Sequence, residues 1–171
     1  MKKVYKVLVA LVIVLSPTVR VDAASLSDEQ VALVRANCID AQISIQRLQQ
    51  TEKPTRINRG HLYEIFGRLL VDFNTRAAAN KIDAPILMTL TGNLRDEIAA
   101  FAENYTKYDD MIRSLVTRDC QAEPIVFHDA LGEARVQRAK LNTSVVKIDQ
   151  ILDDYQKVVN DIKKQVAEGN Q

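Results

Sequence analysis

The residues best suited to chemistry are two histidines and their acidic neighbours. His61 and Glu64 are three apart, a spacing that puts both on one face of a helix, where they could share a divalent metal. A di-metal bundle needs Glu-x-x-His from two helices plus two further glutamates, all pointing inward. Here the order is reversed and the pair occurs once, so it reads as an exposed helical contact and no metal site is assigned. His128 follows apolar Phe127 and precedes Asp129, which reads as a rim position at the start of a helix rather than a general base. The patterns GxSxG, HExxH and GxxxxGK[ST] are absent, as is the CxxCH attachment that a c-type haem requires. The chain is therefore read as non-enzymatic, with no catalytic, cofactor-binding or metal residues.

Cys38 and Cys120 carry a different chemistry. They are the only cysteines of the mature chain, and their separation matches no zinc pattern. In an oxidising compartment an even pair becomes a disulfide, so Cys38–Cys120 is the expected link. That compartment is indicated by the first residues. Lys2, Lys3 and Lys6 precede an apolar run from Val7 to Leu15, Pro17 breaks it, and Ala23 and Ala24 offer a cleavage point. About nine apolar residues fall well short of the roughly 20 that span a bilayer. Residues 1–23 are thus expected to be a signal peptide and 24–171 a single helical domain that is secreted, periplasmic or displayed on the cell surface. The membrane is a partner only if this segment stays uncleaved.

Loss of Lys2, Lys3, Lys6 and Arg20 against Asp22 alone changes the formal net charge from +1 to −2. That balance argues against nucleic acid, whose ligands carry a localised basic surface. Arg56, Arg59 and Arg68 form a small basic run that reads as a solvated face, with Glu64 or an anionic surface polymer as its possible contacts. Gly60 and Gly67, seven apart, face the same way and would permit close approach of another helix. The two Asn-x-Thr/Ser matches, at Asn104 and Asn142, fall within helical stretches and are read as chance.

These residues must be positioned by helices, because apolar residues recur at alternating steps of three and four nearly throughout. Ser27 with Gln30 makes a capping box, and Val31, Val34, Cys38, Ala41, Ile45 and Leu48 continue from it. The same phase runs past Pro54 through Glu52, Thr55, Arg59 and Leu62 to Phe73. A third segment extends from Leu87 to Leu115 and a last one from Phe127 to Val166, with Arg138 the one charged residue on its apolar seam. A polar residue there fixes register, and an acidic partner across the seam is expected. Preserved phase across Pro54 favours one kinked helix over a reversing loop. The expected fold is all-α: an elongated three-helix antiparallel coiled-coil-like bundle, its first helix kinked near Pro54. The alternative is a four-helix up-down bundle.

The stretch RINRGHLYE from Arg56 to Glu64, with Asp119-Cys120 followed by EPIVFHDALGEARVQRAKL, resembles a family of small exported helical proteins from ultra-small, reduced-genome bacteria. The resemblance covers most of the mature chain and both cysteines, and implies continuous helix from Arg56 to Glu64. It implies no activity, ligand or partner. The function expected from the residues is that of an interaction or structural protein binding another envelope or extracellular protein. An extracytoplasmic carrier of an apolar ligand, or a chaperone-like binder, is the alternative.

Overall fold

The structure is a computed structural model that describes residues 26–169; the expected signal peptide lies outside the described residues. The described residues form four helices: α1 (Asp28–Ala36), α2 (Cys38–Ala79), α3 (Pro85–Thr117) and α4 (Pro124–Gly169). The described residues contain no strand, so the all-α expectation holds. The number of helices is that of the four-helix alternative, not the three of the preferred arrangement. The break also lies elsewhere than expected, at Asn37, while α2 runs unbroken through Pro54.

Both differences have local causes. Pro54 is exposed, so the carbonyl of Gln50 that it leaves unpaired also faces water. Around it, the hydroxyl of Thr51 donates to the carbonyl of Arg47 at 3.0 Å, and that of Thr55 to the carbonyl of Thr51 at 3.2 Å. Asn37 sits at φ −100° and ψ 11°, and its side-chain amide donates to the carbonyl of Leu33 at 2.8 Å. An asparagine that bonds its own backbone in this way competes with regular helix. The next residue, Cys38, is tethered to Cys120. The capping box forms as read: the hydroxyl of Ser27 accepts from the backbone N–H of Gln30, and the amide of Gln30 accepts from that of Ser27.

α3 is the central helix, packing antiparallel against both α2 and α4. No Cα of α2 comes within 8 Å of one in α4, and side chains bridge the two helices, Tyr155 reaching Asn74 and the Leu70 carbonyl. The buried apolar residues repeat every seven positions: Leu87, Leu94, Phe101, Tyr108 and Leu115 on α3, and Phe127, Ala134, Leu141, Ile148 and Tyr155 on α4. That repeat holds one face of each long helix against its neighbour. Gln137 of α4 bonds Asn104 of α3, a register that sets Leu115 level with Phe127 and Leu87 level with Tyr155.

Two turns close the arrangement. Lys81, at φ 59°, takes the left-handed conformation that ends α2, and Ile82 N–H returns to the carbonyl of Ala77. At the start of α3 the sequence Asp83-Ala84-Pro85 offers an acidic cap that Asp83 does not supply. Ala84 occupies that position with no side-chain bond, and Pro85, whose N–H is not needed there, begins the helix. At the other end, Asp119 accepts from the N–H groups of Gln121 and Ala122 at 2.9 and 3.0 Å, and its carbonyl accepts from Glu123 just before α4 begins at Pro124.

Candidate functional site

The structure joins Cys38 and Cys120, with Cα atoms 5.5 Å apart and both residues buried. A continuous helix through Pro54 would by itself bring residue 120 level with about residue 47. The register of the two helices, with Tyr108 bonded to Glu52 and Asn74 to Thr91, brings it closer than that, to within a few residues of Cys38, and the extended Arg118 after the end of α3 at Thr117 covers the rest. Gln42 then donates to the carbonyl of Arg118 at 2.7 Å and Arg35 to that of Gln121 at 3.2 Å, which locks the α1–α2 joint onto the α3–α4 turn.

The histidine pairs stay on the surface. His61 and Glu64 are 3.9 Å apart with side chains 68% and 63% exposed, and His128 and Asp129 are likewise exposed on a different helix. Among the described residues no three His, Cys, Asp or Glu side chains are grouped as metal ligands would be. Gly60 and Gly67 both face α3, where an added Cβ would meet Phe101 at 3.5 Å and Ile98 at 3.7 Å, ordinary contact distances.

The basic run is divided. Arg56 pairs with Glu52 rather than Glu64, at 3.0 Å, and its guanidinium lies over the ring of Tyr108, 5.3 Å from the centroid. Arg138 finds the acidic partner expected of it, and that partner is again Glu52. Tyr108 donates to the same carboxylate at 3.1 Å. Burial, reinforced by the charge of Glu52 and this bond, pushes the Tyr108 hydroxyl up to about 12. One carboxylate thus gathers donors from three helices. Beside it, Asp109 is buried, bonded by Arg113 and 3.9 Å from Lys53.

Glu52 was legible as the acidic residue on the apolar seams, where Arg59 and Arg138 are the basic ones. The Asp109–Arg113 pair was legible as an i,i+4 contact. Gln137 carried no such signal. It is 5% exposed, next to Arg138, which the spacing places on the seam but which is half-exposed. α4 turns one flank, with Gln137 and Ser144, to α3 and the other, with Arg138, to α2.

Two cavities flank α2. A groove of about 960 Å³ runs between α2 and α3 from Glu64 to Ala78. Gly67, Val71, Gly92, Ile98 and Met88 line it, the last 71% exposed, and Arg68, Asp72 and Arg95 stand at its rim. A smaller cavity of about 310 Å³ lies between α2 and α4. Among the described residues no helix is long and apolar enough to cross a membrane.

No known family model matches the chain, and no curated protein or solved structure is significantly similar to it.

Proposed function

We propose that this is a non-enzymatic, exported or cell-surface interaction protein, a member of the exported helical family it resembles, whose α2–α3 groove receives an amphipathic helix of another envelope or extracellular protein. The groove is the observation that carries this reading. Its run along α2, Glu64 to Ala78, is about 21 Å long, room for four turns of a helix with anchors at steps of three and four. Gly67 and Gly92 keep the floor low, so a second backbone can come close. Val71 and Met88 already stand exposed within it, and methionine adapts to irregular partners. A mixed rim of Glu64, Asp72, Arg68 and Arg95 suits the charged edges of such a helix. The buried disulfide supports an oxidising compartment, and the surface placement of both histidines supports a role without catalysis.

The test is a photo-crosslinking residue placed at Val71 or Met88 in the native cell, with Val136, exposed on α4, as control. The expected product is a peptide of helical pattern from an envelope or extracellular protein, formed from the groove positions and competed by the synthetic peptide. Crosslinks to lipid alone would favour the carrier; equal crosslinking from Val136 would remove the groove from the account.

A further inference from the structure

We propose that the cleft between α2 and α4 is an oxyanion site that takes a phosphate or sulfate group, with Arg59 as its principal ligand. This inference stands apart from the groove and rests on the other side of α2. The cleft exists because the α2 and α4 backbones stay more than 8 Å apart, and side chains bridge only part of the space. Its walls are Thr51, Glu52, Thr55, Arg56 and Arg59 from α2 and Asn142 from α4. At about 310 Å³ it is at the small end of ligand sites, enough for a tetrahedral oxyanion and its waters.

Charge gives the cleft its preference. The Glu52 carboxylate is already occupied: one oxygen accepts from Arg56 and Tyr108, the other from Arg138. Arg56 and Arg138 share the Glu52 carboxylate, and Arg59 and Asp149 of α4 both act on the Tyr63 hydroxyl, so three guanidinium groups stand against two carboxylates and one positive charge is in excess. Arg59, unlike its two neighbours, enters no ion pair among the described residues. Arg56 directs Nε and Nη2 to Glu52, which leaves Nη1 free.

Shape separates the anion classes. A carboxylate is planar and is satisfied by one guanidinium fork. A phosphate or sulfate group accepts from several directions at once. Here the guanidinium groups of Arg56 and Arg59 come from one wall and the Asn142 amide from the other, while the hydroxyls of Thr51 and Thr55 stay bonded to carbonyls of their own helix.

The test is calorimetric titration of the full chain with inorganic phosphate and with inorganic sulfate, against chloride at matched ionic strength. Phosphate is expected to bind with Kd of about 1 mM, and Arg59→Gln to weaken it about tenfold, the loss of one charge-assisted contact. Arg135→Gln, exposed on α4 and outside both cavities, should leave the affinity unchanged. Flotation with phosphatidic acid vesicles identifies the source. Binding to them that Arg59→Gln abolishes makes a lipid headgroup the natural ligand; binding of the free ions alone makes it a soluble oxyanion. Because Arg59 enters no ion pair among the described residues, Arg59→Gln should melt with the parent. Equal heats with phosphate and chloride, or an Arg59→Gln chain that binds as tightly as the parent, would overturn the assignment.

Discussion

Arg138 of α4 donates to one oxygen of Glu52, 86 residues earlier in the chain, and Tyr108 of α3 donates to the other at 3.1 Å. A single carboxylate on α2 therefore ties all three long helices together where the α2 and α4 backbones do not touch. Its side chain is 19% exposed against 46% for Arg138, and this difference sets the order of effects expected on substitution.

Glu52→Ala removes the acceptor of two arginines and a buried hydroxyl, and should destabilise the fold by about 2–3 kcal/mol. Arg138→Ala removes one half-exposed donor, which solvent screens, and should cost about 1 kcal/mol or less. Urea unfolding midpoints of the two variants give the comparison. Equal losses would mean that Glu52 acts only through Arg138.

Alkaline pH should unfold the protein through its tyrosines. Burial raises the hydroxyls of Tyr63, Tyr105, Tyr108 and Tyr155, the third to about 12. The folded state then holds these protons more tightly than the unfolded chain, whose tyrosines ionise near 10. Their stabilisation is fully present below pH 10 and is lost as pH climbs from 10 to 12, up to about 3 kcal/mol from Tyr108 alone. Tyrosinate absorbance and loss of helical circular dichroism should rise together over that window, and Tyr108→Phe should shift the midpoint upward. Ionisation well before any loss of helix would contradict the burial account.

Much of this fold was legible in the sequence because the heptad repeat is nearly uninterrupted. The positions that escaped were those where a polar interaction outweighed the pattern. Pro54 suggests a kink by its chemistry, yet its solvent-facing placement let the helix continue, as the preserved phase of Glu52 and Arg59 had implied. Asn37, one residue before Cys38, gave no pattern signal; a side-chain bond to Leu33 and the adjoining disulfide mark the joint there. Which flank of α4 is buried could not be read from spacing, because residues three and four along a helix lie on either side of the same stripe. Arg138 was visible as an anomaly that called for an acidic partner, but only the packing of α2 against α4 makes that partner Glu52; the groove likewise depends on how α2 and α3 meet around Gly67 and Gly92, which no periodicity encodes.

Reduction should loosen one end of the molecule selectively. The Cys38–Cys120 link closes a loop of 82 residues, worth about 4.5 kcal/mol in the chain-entropy model. Cys38→Ser with Cys120→Ser should lower the melting temperature and raise amide exchange in α1 and residues 118–123, leaving the 80–84 turn unchanged. Uniform exchange changes along the whole of α2 and α3 would show that the link supports the fold globally.

Glycines in the groove offer a separation of stability from binding. Gly67 would carry a Cβ at an ordinary contact distance, and Gly92 has open space. Replacing both with alanine should stabilise the helices by about 1–2 kcal/mol, since each glycine costs roughly 1 kcal/mol in a helix interior. The added methyls also raise the groove floor, so crosslinking from Met88 should weaken. A variant that is more stable and captures its partner equally well would argue that a helix does not bind there.

The buried polar layer between α3 and α4 provides the sharpest test of register. Gln137 donates to the side-chain and main-chain carbonyls of Asn104 at 2.9 and 3.2 Å, and the Asn104 amide donates to Ser144 at 3.4 Å. Apolar columns repeating every seven residues would pack almost equally well after a slip of one heptad, but this triad is satisfied in one register only. Gln137→Leu leaves the Asn104 side-chain carbonyl without its donor in a part-buried interface, and should cost about 1–2 kcal/mol. Asn104→Leu should cost a similar amount by orphaning Gln137. Both changes together replace a satisfied polar pair with apolar contact, so the double variant should recover at least to the parent's midpoint. Denaturant unfolding of the four proteins completes the cycle. If the double variant loses the full sum of the two single losses, Gln137 and Asn104 act independently and the layer does not set the register of α3 against α4.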